Sequence, residues 1–264
     1  MRSSLFSLFL FLTAALSLHT SPVENGDAPQ LIQKGFFIPS SWWVDLRAGY
    51  EGDFAGDEKL EQTQGGSSRV DTFQQYTNSA TVTLNLLDRL DIFGLVGSSR
   101  ASADWLVQNG STTTYIELET FYRFLWGMGG RAILFEWGKL SLDAAGRYSL
   151  CHYKPSYFSS NGVPQTTENT HIDWNEWQIA LVLAYRIDLF TPYLGAQYAR
   201  TEVNLGNFPV SIAPNDSTSN QFVSRIPVGM VIGCGISNGN YFMLNLEGRL
   251  INEEALTISG DLRF

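Results

Sequence analysis

The sequence predicts an all-β protein, a transmembrane antiparallel β-barrel of about ten strands that follows a cleaved signal peptide. Three observations predict it. Apolar and polar residues alternate with period 2 from Trp42 to the end, short turns alternate with long polar loops, and no apolar run of about 18 residues follows the N-terminus. A chain that crosses a bilayer without apolar helices must close into a barrel, because the bilayer core offers no partner to unpaired backbone groups.

The N-terminus predicts export. Arg2 precedes the mostly apolar residues 5–18, a run that is too short for a membrane helix of about 20 apolar residues. Residues 1–20 are therefore the predicted signal peptide, with an N-terminal membrane anchor as the alternative. Residues 21–40, which are polar and punctuated by Pro and Gly, form a predicted periplasmic lead-in, and residues 41–264 form the barrel.

The composition is consistent with a membrane β-barrel but does not by itself distinguish one from a soluble β protein. Charged residues make up 16% of the chain, against about 25% in a soluble domain. The net charge of −9 gives the protein no electrostatic reason to bind nucleic acid. Cys151 and Cys234 fall at opposite ends of the predicted strands, about 25 Å apart, whereas a disulfide needs Cα atoms about 4.4–6.8 Å apart. We expect no disulfide between them.

The alternation is clear in the first strand. Val44, Leu46 and Tyr50 share one face, and Asp45 and Arg47 share the other. The same apolar–polar pattern recurs in residues 80–86, 140–150, 176–186, 225–232 and 242–250. About ten such strands follow from Trp42 onward, and twelve if two more lie in residues 30–40 or 68–79.

The connections have two lengths. Tight turns are predicted at residues 87–89, 136–139, 188–190 and 237–240, and long polar loops near 54–69, 100–114, 153–171 and 203–220. A membrane barrel has short turns at one end and long loops at the other, with aromatic girdles at both interfaces, whereas a soluble sandwich turns its apolar faces inward. The predicted girdles are Trp137, Phe190, Tyr193, Tyr241 and Phe264 at the short-turn end, and Tyr50, Trp105, Trp174 and Trp177 at the long-loop end.

The last strand carries the same alternation. Leu256, Ile258, Leu262 and Phe264 share one face, so that Phe264 is predicted at the periplasmic interface. The expected location is a bacterial outer membrane, with the loops exposed on the cell surface. The expected partners are outer-membrane lipid and the barrel-insertion machinery, which would read this strand. A homo-oligomer is left open.

Several segments resemble the chlamydial major outer membrane protein family. They are Leu46-Arg-Ala-Gly-Tyr-Glu-Gly-Asp-Phe54, residues 84–97, Gly129-Gly-Arg-Ala-Ile-Leu-Phe-Glu-Trp-Gly138, residues 174–186 and 191–198, residues 247–254, and Ser259-Gly-Asp-Leu-Arg-Phe264. The resemblance runs in order through most of the chain from Trp42. It implies a porin, a channel for passive diffusion of small solutes and ions and a structural protein of the envelope. This chain is shorter and poorer in Cys than that pattern, which implies fewer strands and a narrower interior.

Strand parity selects the side chains that would line a pore. The candidates are Asp45, Arg47, Glu51, Arg123, Arg131, Asp143, Arg147, Glu176, Arg186, Arg225, Glu247, Arg249, Asp261 and Arg263. They are nearly balanced in charge. One interpretation is a polar pore whose opposed charges act on passing ions. The other is that acid–base pairs close the interior, as side chains fill barrels of eight strands, and that the protein works as an adhesin or structural protein through its loops.

The sequence does not predict an enzyme, a cofactor or a metal site. His152 and His171 fall at the rim of one loop, near Glu168 and Asp173. An outer-membrane hydrolase with an acid–base site at that rim is therefore a third alternative. No Ser motif and no metal-ligand spacing accompanies these residues, which makes solvated loop histidines the preferred interpretation.

Overall fold

A computed structural model of the chain describes residues 28–31, 42–63, 70–109, 111–208 and 221–264. The predicted signal peptide and most of the predicted lead-in lie outside these residues, so their assignment stays a prediction. Within the described part, one short helix, α1 (Ala28–Leu31), precedes the strands. No helix of the described residues is long and apolar enough to cross a membrane.

Antiparallel strands make up nearly all of the described chain. Those that form the barrel wall are β1 (Val44–Ala55), β3 (Val70–Leu86), β4 (Leu90–Asn109), β6 (Arg123–Trp137), β7 (Leu140–Tyr153), β10 (His171–Tyr185), β11 (Phe190–Gly206), β13 (Val228–Ser237), β14 (Phe242–Leu250) and β15 (Ala255–Arg263). Shorter strands extend the wall at one end: β2 (Leu60–Gln62), β5 (Thr112–Thr120), β8 (Pro155–Ser160), β9 (Val163–Pro164) and β12 (Gln221–Ser224).

The wall closes on itself. Strand β1 pairs with the last strand, β15, in the register Arg47↔Arg263, and on its other side with β3. The order then runs β15, β14, β13, β11, β10, β7, β6 and β4, and β4 pairs back to β3. Among the described residues the closed wall has ten strands, which confirms the lower of the two predicted numbers. Most of the segment 68–79 is the outer part of β3 rather than an additional strand.

Short and long connections separate to the two ends as predicted. The turns at 87–89, 138–139, 186–189 and 238–241 lie at the end where β1 begins, and the connections that contain β2, β5, β8, β9 and β12 lie at the other. Gly138 has a φ of 65°, which suits glycine because it has no Cβ to clash. The connection 251–254 is short but lies at the long-loop end, as expected.

The outer face of the wall is apolar. In β10, Ile179, Leu181 and Leu183 are half or more exposed, while Ala180 and Val182 between them are buried. Alternate residues of a strand point to opposite faces, so the sequence pattern turns the large apolar side chains outward. A membrane barrel needs this arrangement, whereas a soluble sandwich would bury them.

Part of the predicted aromatic girdle is correct. At the short-turn end Trp137, Phe190 and Tyr241 are exposed, and at the long-loop end Tyr50 and Trp177 are exposed. Three members of the predicted girdles instead point into the barrel and are almost fully buried: Tyr193, Trp105 and Trp174. Their positions on the strands explain the difference, since each alternates with outward-facing neighbours.

Candidate functional site

The barrel interior holds most of the charged residues that strand parity selected. Those that are buried inside are Asp45, Arg47, Glu51, Arg131, Asp143, Arg147, Glu176, Glu247, Arg249, Asp261 and Arg263. The other three lie at strand ends. Arg123 is exposed at the first position of β6, Arg186 is half-buried beside a short turn, and Arg225 is half-buried between β12 and β13.

The structure adds four buried carboxylates that the sequence selection omitted, Asp53, Glu58, Asp91 and Glu253. Asp53 and Asp91 occupy inward positions of β1 and β4, so strict parity could have found them. Glu58 and Glu253 lie in connections, where no alternation signals a direction. Among the described side chains, the buried ionisable groups are therefore ten carboxyl groups and five guanidinium groups, so that acidic groups outnumber basic ones rather than nearly balancing them.

The layer nearest the short turns is a network of ion pairs. Arg47 lies 3.2 Å from Asp45 and 3.6 Å from Asp91, measured between guanidinium nitrogen and carboxylate oxygen. Arg131 lies 3.4 Å from the same Asp91 oxygen, and Arg263 lies 2.9 Å from Asp45. Each carboxylate thus joins two guanidinium groups, so that the network links β1, β4, β6 and β15.

One ion pair crosses the middle of the barrel. Arg147 Nη1 donates to Glu51 Oε2 at 2.9 Å, and Arg147 Nη2 donates to Glu51 Oε1 at 3.0 Å. The two residues sit on β7 and β1, which are not neighbours in the sheet. A two-pronged bond of this kind fixes both distance and direction, and here it spans the interior.

Arg249 organises the layer above. It lies 2.7 Å from Asp53, 3.2 Å from Glu247 and 3.2 Å from Glu253, and it also donates to Thr257 Oγ1 at 2.7 Å. In the connection 251–254, burial raises the pKa of Glu253 to about 8, against the attraction of Arg249. Burial, with a smaller contribution from the nearby Glu253, likewise raises the pKa of Glu58 to about 8.

Helix α1 covers the interior at the short-turn end. Arg47 donates to the carbonyl oxygens of Ala28 at 2.8 Å and Pro29 at 2.9 Å. Ser237 Oγ donates to the Leu31 oxygen at 2.9 Å, and Arg186 Nη2 donates to the Gln30 side chain at 3.0 Å. The helix is too short to be stable by itself, so these inward-facing side chains hold it in place.

At the long-loop end the interior changes character. The Tyr153 hydroxyl lies 2.8 Å from Ser99 Oγ and accepts a hydrogen bond from Gln75, forming a polar layer above the charged ones. Beyond it the inward side chains are apolar and form one buried cluster that includes Trp105 and Trp174. The interior is thus charged in its inner and middle parts and apolar at its outer end.

The other sequence candidates lie away from the interior. His152 Nδ1 and Asp173 Oδ1 are 2.7 Å apart on the exposed surface near the long-loop end, and both side chains are well exposed. Within the described residues, no group of three or more His, Cys, Asp and Glu side chains could hold a metal ion. Cys151 and Cys234 are free thiols, as expected from their separation.

Similarity searches connect the chain to known proteins. A family model described as "Chlamydia major outer membrane protein" matches residues 156–223. The chain is 25% identical to "Major outer membrane porin, serovar B" of Chlamydia trachomatis and 23% identical to "Major outer membrane porin" of Chlamydia muridarum. Each alignment covers 97% of this chain and 98% of the relative.

Solved structures with similar shape include an outer membrane channel from Pseudomonas putida F1, with a TM-score of 0.43, 11% identity and coverage of 93% of this chain and 97% of that one. Another is the outer membrane protease OmpT of Escherichia coli, with a TM-score of 0.38, 10% identity and coverage of 83% and 92%. Likeness at these levels carries no information about function.

The closed barrel, its outward apolar band and its outer-membrane relatives locate the chain in the outer membrane. The matched family model and the relatives aligned over nearly their whole length show that this chain is similar to the chlamydial major outer membrane proteins.

Proposed function

We propose that this protein is an outer-membrane porin that passes small ions and small polar solutes through the charged interior of its barrel. The observation that carries the proposal is the ion-pair network, which runs from Asp45 and Arg263 at the short-turn end to Arg249 and Glu253 near the long-loop end. A closed barrel without a transport role could fill its interior with apolar side chains. Relatives that are named porins support the same function.

The acidic excess favours cations. Carboxylate rings select cations in channels because they replace part of the ion's hydration and repel anions. The buried carboxyl groups outnumber the buried guanidinium groups by ten to five among the described side chains, and by eight to five below about pH 8, where Glu58 and Glu253 hold their protons. The porin is therefore proposed to be cation-selective, with the selectivity reduced where carboxyl groups become protonated.

The path is narrow and closed at rest. The Glu51–Arg147 pair crosses the interior, and α1 covers its periplasmic mouth. The alignment with the Chlamydia trachomatis relative spans 385 positions, whereas this chain has 264 residues, so the relative carries segments that this chain lacks. We propose that conduction requires α1 to leave the mouth, the central ion pair to exchange its partners for water and ions, and the apolar cluster around Trp105 and Trp174 to open at the outer end.

Planar-bilayer recording of the refolded protein tests the function. Discrete ohmic steps with a conductance that scales with salt concentration are expected of a porin. A protein that inserts, as shown by protease protection of its strands, but gives no steps over the whole accessible voltage range would contradict the proposal.

A second function is favoured by the dense interior. The charged side chains of the central layers are at most 7% exposed, and this is the packing of a closed barrel. In that case the protein would act at the cell surface through its loops, as an adhesin or structural protein. The absence of channel currents in planar bilayers, together with saturable binding of the refolded protein to host cells, would favour this alternative.

We further propose that the chain is not an enzyme. The exposed His152–Asp173 pair would supply one acid–base group, and a hydrolase needs a positioned nucleophile or activated water beside it. Loss of a hydrolytic activity in His152→Ala would contradict this part of the proposal.

A further inference from the structure

The outward face of the barrel changes from apolar to polar on three neighbouring strands, β3, β4 and β6. On the membrane side of this change, Val82, Val96 and Phe124 are each more than half exposed. Tyr50 of the outer girdle lies at the same boundary, where its hydroxyl donates to the side chain of Asn78 on β3. Positions of these strands nearer the long loops therefore lie at the level of the outer lipid headgroups.

Arg100 occupies that level on the central strand of the three, β4. It is exposed and pairs in register with Tyr76 of β3, while Tyr122 immediately precedes β6 on the other side. The guanidinium carbon lies 4.9 Å from the centre of the Tyr76 ring and 5.4 Å from that of the Tyr122 ring. Within the residues that the structure describes, Arg100 makes no hydrogen bond and no ion pair through its side chain. The two rings thus hold the cation in place without using its N–H donors.

A cleft of about 210 Å³ opens beside this guanidinium. Its lining is mostly polar and comprises Gln74, Tyr76, Arg100, Ala101, Ser102, Glu119 and Thr120. Gln74 and Ser102 are cross-strand partners one outward position beyond Tyr76 and Arg100. The cleft is larger than a phosphate group, whose four oxygens need roughly 30 Å³ each.

The donors of the cleft favour an anion of that kind. A guanidinium is planar and presents paired N–H groups that match two phosphate oxygens. The Gln74 amide and the Ser102 hydroxyl are uncharged groups that can also donate. Glu119 is the opposing charge. It forms no ion pair with Arg100 among the described residues, so it leaves the cation available, but it weakens the attraction of the cleft for an anion.

The position of the cleft selects a lipid as the source of the phosphate. Val96 and Phe124 lie on the membrane side of Arg100 and are exposed. A lipid can therefore place its hydrocarbon chains along these side chains while its phosphate reaches the guanidinium. A free phosphate ion would gain no apolar contact in exchange for its hydration.

We propose that Arg100, held between Tyr76 and Tyr122, binds the phosphate headgroup of a lipid in the outer leaflet. The phosphate oxygens accept hydrogen bonds from the guanidinium, and the lipid chains lie on the apolar band below it. The site is on the outer face of the wall, so lipid binding does not depend on conduction through the interior. It fixes β3, β4 and β6 at the level of the headgroups.

The test is a titration of the full refolded barrel in an uncharged detergent with dimyristoyl phosphatidate, followed by native mass spectrometry, which counts the bound lipids. Dimyristoylglycerol has the same chains without the phosphate. We expect one phosphatidate to bind saturably, and dimyristoylglycerol to bind only weakly and without saturation. Inorganic phosphate at the same concentration should not displace the lipid.

Four variants make the test specific. Arg100→Gln should weaken phosphatidate binding by about tenfold, because a charge-assisted hydrogen bond is lost. Arg200→Gln is the matched control and should bind like the wild type, because Arg200 is also an exposed arginine toward the long-loop end but is engaged by Glu202 at 3.0 Å. Arg100→Lys keeps the charge without the planar pair of donors, so its affinity should lie between those of the wild type and Arg100→Gln. Glu119→Gln should bind more tightly, because it removes the opposing charge.

The proposal is overturned if Arg100→Gln and Arg200→Gln weaken binding equally, which would indicate general attraction of anionic lipid to surface cations. Dimyristoylglycerol that binds as tightly as phosphatidate would overturn it as well, because the phosphate would then contribute nothing. Displacement by inorganic phosphate at equal concentration would exclude the lipid as the specific partner. Should Arg100→Gln fail to fold, Arg100→Lys replaces it, and an affinity equal to that of the wild type would contradict the paired donors.

Discussion

Arg147 and Glu51 meet across the barrel through two parallel hydrogen bonds of 2.9 and 3.0 Å, although their strands, β7 and β1, are not neighbours in the sheet. Both side chains are almost completely buried. The pair therefore connects opposite walls, and it sits between two further charged layers. Its strength, and the ease with which it opens, determine whether the interior behaves as a closed core or as a channel.

Removing one charge of the Glu51–Arg147 pair should lower the free energy of unfolding substantially. Glu51→Gln leaves a buried guanidinium without its counter-charge, and such single losses cost about 3–5 kcal/mol. Urea unfolding of the refolded barrel would measure this loss. The matched control is the exposed pair Arg200–Glu202, at 3.0 Å, whose loss should cost about 0.2–1 kcal/mol. Equal effects of Glu51→Gln and Glu202→Gln would show that the central pair is not isolated from water.

Removing α1 should open the periplasmic mouth. The helix is held by Arg47, Ser237 and Arg186 rather than by its own length. A barrel that lacks residues 21–34 should therefore show a larger single-channel conductance than the barrel with this segment. The control is a version in which the same number of Gly and Ser residues replaces the segment, because a disordered tether cannot reproduce the four hydrogen bonds to α1. An unchanged conductance in both versions would mean that α1 is not the closing element.

The buried carboxyl groups near the long-loop end predict a dependence on pH. The pKa of Glu58 and of Glu253 is about 8 in the folded protein, raised by burial from the usual 4.5. The folded state thus binds these protons more tightly, and their contribution to stability is complete below about pH 4.5 and is lost as the pH rises through about 8. Urea midpoints measured from pH 4 to 9 should fall over this range.

Glu253→Gln provides the control for that titration. The amide keeps the shape and cannot ionise, so the fall in stability with pH should become shallower. A variant as steep as the wild type would assign the pH dependence to other groups.

The outward face of β10 predicts a depth-dependent response to charge. Leu181→Arg places a cation in the outward apolar stripe between Ile179 and Leu183, which should cost about 2–4 kcal/mol. Trp177→Arg lies nearer the long-loop end and should cost about 0–1 kcal/mol from the charge. Unfolding free energies measured in lipid vesicles compare the two. A larger cost at position 177 than at 181 would contradict the assigned membrane band.

The sequence alone predicts the barrel well because the position of each residue in a strand determines whether its side chain points inward or outward. Ile179, Leu181 and Leu183 alternate with buried neighbours as expected, and Asp45, Arg47 and Glu51 lie inside. The first strand pairs with the last, and the short turns share one end. These features depend on local alternation and on turn residues, and both are visible in a single sequence.

What the sequence could not predict depends on contacts between distant segments. Glu58 and Glu253 are buried although they lie in connections, where apolar and polar residues do not alternate. Arg123 has the inward parity of β6 but lies at its exposed first position. Trp105 and Trp174 were assigned to a girdle by residue type, although their positions turn them inward. The docking of α1 depends on Arg47 and Ser237, which are distant from the helix in sequence. The sequence of the helix itself contains no pattern that predicts these contacts.

The most direct test of the proposed function is the reversal potential of single channels under a gradient of KCl. The acidic interior predicts discrete steps and a reversal potential of the sign for K⁺ selectivity, which moves toward zero as the pH is lowered and carboxyl groups become protonated. Channels that prefer Cl⁻ would contradict the assigned charge balance. A correctly inserted barrel with no steps, even without residues 21–34, would contradict the porin itself.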